Sequence, residues 1–233
     1  MGVCCATREK DRDSDLQAPE LAGNVFQKFE KSLPFSRTYV DTVAKRVRQA
    51  AESCKEEGKG DGSTVTLEAL RKVFLTPAWA DLKKEDSRIT KLINHAVFAN
   101  GGGNIDVNSL ILFAILNSPG SVEYKSEVLY SVLQEGGVEK QKFMTAGDKD
   151  IPPVIAKLIK LVSVDLIQLI QDLDGDHPMD LEDKAEEIDY ATDELLEENY
   201  LEPIYGTASR LSYEEWKAAS LKVKSICEVW YVP

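Results

Sequence analysis

Apolar residues recur along most of this chain at intervals of three and four, the spacing that gathers them on one face of a helix. Val40, Val43, Val47, Ala50 and Cys54 form one such series, and Leu67, Leu70, Val73 and Phe74 a second. Ile89, Leu92, Ile93, Ala96 and Val97 make a third, followed by Leu110, Phe113 and Leu116 and then by Val128, Leu129, Val132 and Leu133. A short stripe of Leu21, Val25, Phe26, Phe29 and Leu33 precedes them all and stops near Pro34. Glycines and prolines interrupt the stripes at Gly58, Gly60 and Gly62, at Gly101 to Gly103, at Gly136 and Gly137, and at Pro203 and Gly206. Beyond each interruption stands an isolated apolar residue, Val65, Ile105, Val138 or Leu211. The pattern predicts helix, loop, helix, repeated. After Val138 it predicts a helix reaching Phe143 and then a polar linker over 144–150.

The most apolar helix is expected after Pro152 and Pro153, which suit a helix start. Ile155, Leu158, Ile159, Val162, Leu166, Leu169 and Ile170 leave only a narrow polar stripe of Lys157, Lys160, Gln168 and Gln171. Such a helix packs on two sides, and its charges and length argue against a membrane span. Further helices are expected through Ile188, Ala191, Leu195 and Leu196, and through Trp216, Ala219, Val223 and Ile226. The last of these opens on Ser212 and Glu215, the S-x-x-E spacing of a capping box. Cys54 falls on a core stripe, His95 on a helix surface, and Trp230 and Tyr231 act as packing anchors.

Between these helices the chain places Asp172, Asp174 and Asp176 two residues apart, then Met179, Asp180 and Asp183. Alternating carboxylates around a turn surround one point with oxygen, as a hard cation with six or more ligands requires. This stretch resembles an EF-hand loop, and the resemblance extends over residues 38–227. It implies that Asp172, Asp174, Asp176, Asp180 and Asp183 supply side chains and Pro178 a backbone carbonyl to Ca²⁺, or to Mg²⁺. His177 stands where the family has glycine, and Asp183 where bidentate Glu is usual. The other loops carry Gly58, Gly60, Gly62 and Ala69, or end on Ser109 and Lys142; the last keeps Glu215 but has Ile204, Gly206 and Ala208 in place of carboxylates.

The loop centres Val65, Ile105, Val138, Met179 and Leu211 are 40, 33, 41 and 32 residues apart, so that alternate centres repeat at 73 or 74. That is the signature of duplicated pairs. The resemblance implies an all-α fold of tandem EF-hand helix-loop-helix pairs with short β-bridges between loops. It pairs Val65 with Ile105 and Val138 with Met179. Leu211 is left odd, to pair with a partner's hand, with itself in a dimer, or with Met179 in a shifted scheme. The expected organisation is an anchor and spacer over 1–20, an N-terminal pair over 21–119, and a C-terminal pair plus the odd hand over 120–233.

Charge and cysteine usage narrow the function. A formal charge of −12 disfavours nucleic acid and favours cations or basic peptide segments as partners. Four cysteines without CxxC spacing give no disulfide framework, which points to a reducing compartment. The opening MGVCCAT approximates the N-myristoylation pattern at Gly2, with Thr one place late, and sets Cys4 and Cys5 beside it. Two acyl chains anchor stably where one does not. No nucleophile–base motif supports an enzyme. The resulting expectation is a lipid-anchored, calcium-binding or calcium-sensor-like protein that binds an amphipathic or basic helix at the cytoplasmic face of a plasma or ciliary membrane. The alternative is a structural EF-hand component of a ciliary or cytoskeletal assembly that binds no ion.

Overall fold

The computed structural model describes residues 15–17, 25–99, 102–135, 143–145, 151–162, 164–174, 198 and 201–222. They are mainly helical, with two small two-stranded sheets. The chain divides into two compact units, Met1–Gly120 and Ser121–Pro233.

In the first unit, α1 (Val25–Ser32) leads through a 3-10 turn at Pro34–Arg37 into α2 (Val40–Glu56). Strand β1 (Thr64–Thr66) follows and passes directly into α3 (Leu67–Val73). A second 3-10 turn, Pro77–Lys83, leads to α4 (Arg88–Ile93), β2 (Asn104–Asp106) and α5 (Val107–Asn117). Strands β1 and β2 pair antiparallel with Val65 opposite Ile105, the pairing that the resemblance implied. Both residues are buried, at 1% and 0% exposure. Each therefore serves the sheet and the core at once.

The apolar stripes explain the packing. Val40, Val43, Val47, Ala50 and Cys54 all lie on the buried side of α2. Helix α5 has no polar face to offer: every residue from Ser109 to Leu116 is buried. A helix apolar all round forms the centre of its unit rather than its surface. Five aromatic rings run through that centre in contact. Phe74 stacks on Trp79 at 4.0 Å, Trp79 meets the edge of Phe35 at 5.0 Å, and Phe35 and Phe98 each meet Phe113 at 5.2 Å. The indole Nε1 of Trp79 donates to Thr38 Oγ1 at 2.8 Å, satisfying its one polar atom inside the core. Helix α4 is shorter than its stripe suggested. It ends at Ile93, and Ala96 and Val97 lie in the following turn.

The second unit begins with α6 (Val122–Glu135) and strand β3 (Phe143–Thr145). Helices α7 (Ile151–Val162) and α8 (Val164–Asp174) follow, then α9 (Glu202–Tyr205), β4 (Arg210–Ser212) and α10 (Tyr213–Ser220). Strand β3 pairs antiparallel with β4, Met144 opposite Leu211. Three expectations are corrected here. Phe143 to Thr145 is a strand, not a helix end and polar linker. Leu211 is not odd, since it has an intramolecular partner. That partner is Met144, six residues beyond Val138, so the 73-residue periodicity built on Val138 does not describe the strands. The proposed partners Val138 and Met179 lie outside the described residues, as does the expected helix through Ile188.

Strands β1, β2 and β4 run directly into helices. Thr66, Asp106 and Ser212 each end a strand and cap the helix that follows, accepting from the backbone N–H three residues on: Ala69, Ser109 and Glu215. A short polar side chain at that point satisfies a helix-start donor that would otherwise have no partner.

Candidate functional site

The loops that join helix to strand are where an EF-hand would hold its ion, and the described ones are built for other contacts. In the first, Gly58 and Gly62 take positive φ angles of 69° and 98°, which lets the chain turn sharply after α2. The Asp61 carboxylate accepts from the Ser63 hydroxyl at 2.6 Å and from the Ser63 backbone N–H at 2.8 Å. These bonds, the hydroxyl first, hold its pKa below the ordinary carboxylate value. Glu57 is held low chiefly by its contact with Lys59 at 2.7 Å. The Thr66 hydroxyl caps α3 and lies 3.8 Å from Cys54 Sγ, which is buried in the core as its stripe implied.

The second loop turns at Gly103, with φ 74°. The Asp106 carboxylate accepts from both the backbone N–H and the hydroxyl of Ser109, so the residue at the loop's end is a donor to its own chain. His95 follows α4 rather than lying on it, and its Nδ1 accepts from the Val97 N–H at 3.3 Å.

In the last loop Glu215, the one carboxylate at a closing position among the described residues, belongs to a full capping box with Ser212. Glu215 Oε2 accepts from the Ser212 backbone N–H at 2.8 Å and from its hydroxyl at 2.7 Å. These bonds, the backbone one first, lower its pKa. On the same helix, Lys217 meets Glu127 of α6 at 2.8 Å, and that contact raises the lysine's pKa. Tyr130 of α6 lies against Tyr213 and Trp216 of α10, with centroids 4.4 and 5.6 Å away, and burial raises its hydroxyl pKa.

The acidic stretch is described only at its start. Helix α8 runs through Asp172, which is exposed, to Asp174, its last residue. This differs from a loop beginning at Asp172. Asp176, Pro178, Asp180 and Asp183 lie outside the described residues, as do the acylation candidates Gly2, Cys4 and Cys5. Among the described residues no group of three or more His, Cys, Asp or Glu side chains could hold a metal ion. Among them, too, no helix is long and apolar enough to cross a membrane.

Residues missed by sequence reasoning lie at the edge of the first unit. The Asp15 carboxylate accepts from the Thr76 hydroxyl at 2.7 Å and from the Ala78 N–H at 2.5 Å. The Leu16 N–H donates to the Arg37 carbonyl at 2.8 Å, and Arg37 in turn donates to the Ala78 carbonyl at 3.3 Å. Asp15 lies in a stretch so polar that periodicity carries no information about it.

No protein-family model, curated protein or solved structure matches the chain.

Proposed function

We propose that this chain is an EF-hand-like interaction scaffold, carried at the cytoplasmic face of a membrane by acyl chains on Gly2, Cys4 and Cys5, whose paired units hold a fixed shape without an ion. The observation that carries this reading is the use already made of each described loop. Asp61, Asp106 and Glu215 accept hydrogen bonds from their own chain. The interior of the first unit supports it as well. The space between its helices is filled by Phe35 and Trp79 from the 3-10 turns, 0% and 1% exposed. Among the described residues the exposed large hydrophobic side chains are Leu75 and Tyr124, which is no groove for an amphipathic helix.

Charge favours the second unit as the partner-binding half. Residues 121–233 carry 11 Lys and Arg against 24 Asp and Glu, a net of −13, whereas residues 1–120 carry 17 against 16, a net of +1. A basic helical or extended segment is the complementary partner, steered by the field of the acidic half. Assembly into a ciliary or cytoskeletal complex fits the same scaffold role.

The competing reading is an ion-driven sensor, and the alternation of Asp172 with Asp174, Asp176, Asp180 and Asp183 favours it. Calorimetry of the full chain with Ca²⁺ and with Mg²⁺ separates the two. The scaffold gives no saturable heat, and its capture of partners is the same with and without chelator. Saturable heat that Asp172→Ala abolishes would establish the sensor instead.

A further inference from the structure

We propose that Thr76 is a phosphoryl-acceptor site whose modification unfastens residues 15–16 from the first unit. Two short segments, more than sixty residues apart in sequence, meet here. Asp15 bridges the Thr76 hydroxyl and the Ala78 N–H with its two oxygens, and Leu16 is bonded to Arg37. Thr76 and Ala78 flank Pro77, at the start of the turn that carries Trp79 into the core. Arg37 belongs to the turn that carries Phe35. The clasp thus fastens the N-terminal segment across the two turns that fill the unit's interior.

The acceptor is laid out for a proline-directed protein kinase. Thr76 is extended, with φ −73° and ψ 158°, the conformation that a following proline imposes. Leu75 before it is 68% exposed, and Pro77 after it is exposed. In the transfer the Thr76 oxygen attacks the γ-phosphorus of Mg-ATP and the bond to the β-phosphate oxygen breaks. The hydroxyl proton leaves to the kinase's base, giving phosphothreonine and ADP. The product has no hydroxyl hydrogen left to donate to Asp15. It also carries close to two negative charges beside that carboxylate. Clasp and phosphate exclude each other, so the kinase captures the open state and each event biases the other.

The test uses the full chain, a purified proline-directed kinase and Mg-ATP, with the site mapped by mass spectrometry and amide exchange read at Leu16 and Ala78. Phosphate is expected on Thr76, with loss of protection at both amides. Asp15→Ala and Asp15→Asn, which open the clasp beforehand, should each accept phosphate at least about tenfold faster, the size of one lost charge-assisted hydrogen bond. Asn keeps the shape of the side chain, so the prediction survives if the alanine variant fails to fold. Thr76→Val should take no phosphate in this segment. The proposal is overturned if Thr76 stays unmodified in wild type and both Asp15 variants, or if phosphorylated protein keeps its Leu16 and Ala78 amides protected. Neither outcome depends on whether the chain binds an ion or a partner.

Discussion

Trp79 shows how much a single side chain can hold in the first unit. It stacks on Phe74, meets the edge of Phe35 and spends its one donor on Thr38. Trp79→Ala should lower stability by about 3–5 kcal/mol, as truncation of a fully buried aromatic does. Thr38→Val should cost about 1–3 kcal/mol with little change in volume, because it strands the indole N–H. Urea unfolding of the full chain measures both. Glu215 gives a residue-scale dependence on pH. Its folded pKa is depressed below the ordinary 4.5 by the Ser212 N–H and hydroxyl. Its contribution is therefore complete above that value and is lost as pH falls through the folded one. An NMR titration should place the Glu215 midpoint below 4.5 in the wild type and nearer 4.5 in Ser212→Ala. None of the long-range partners of these residues could be read from the sequence. Thr38 and Trp79 are 41 positions apart, and periodicity speaks only about neighbours on one element.

Elements were far more legible. The i, i+3, i+4 stripes locate α2, α5 and α6, each of which buries the face its stripe defines, and also α3 and α10, where Leu70, Phe74 and Trp216 are buried while Val223 and Ile226 lie outside the described residues. Two apolar residues each standing alone after a glycine break marked the first two loop centres, and the EF-hand resemblance implied their pairing, Val65 with Ile105. The same rule misplaced the third strand, since Val138 follows Gly136 and Gly137 just as Ile105 follows Gly103. Periodicity alone does not decide between the two candidates. Cross-linking checks the register directly. A Met144→Cys/Leu211→Cys pair should form a disulfide under mild oxidation, since residues opposite each other in an antiparallel pair have Cα atoms about 4.5–5.5 Å apart. A Val138→Cys/Leu211→Cys pair should not. The helical backbone at Asp172 to Asp174 was equally hidden, because alternating aspartates look the same at the end of a helix as in a loop.

At the scale of the whole molecule, the two units differ in charge by far more than in size. The second, with a net of −13, is stressed by its own repulsion, and the first, near neutrality, is not. Salt shortens the reach of such repulsion to about 8 Å near physiological strength and about 3 Å at 1 M. Raising NaCl should therefore shift the unfolding midpoint of the second unit upward and leave that of the first almost unchanged. Fluorescence can tell them apart. Trp79 reports on the first unit, and the Trp79→Phe variant leaves only signals from the second. A shared midpoint that moves with salt in both would mean that the units unfold as one.

The pairing of β3 with β4 carries one more consequence. Their centres are 67 residues apart, against 40 for β1 and β2. Closing the longer ring adds only about 0.5 kcal/mol, because the entropic cost grows with the logarithm of length. Chain length is therefore a weak constraint on this pairing, whereas the helices between the strands are held by packing: Ile155, Leu158, Leu161, Leu166, Leu169 and Ile170 of α7 and α8 are buried.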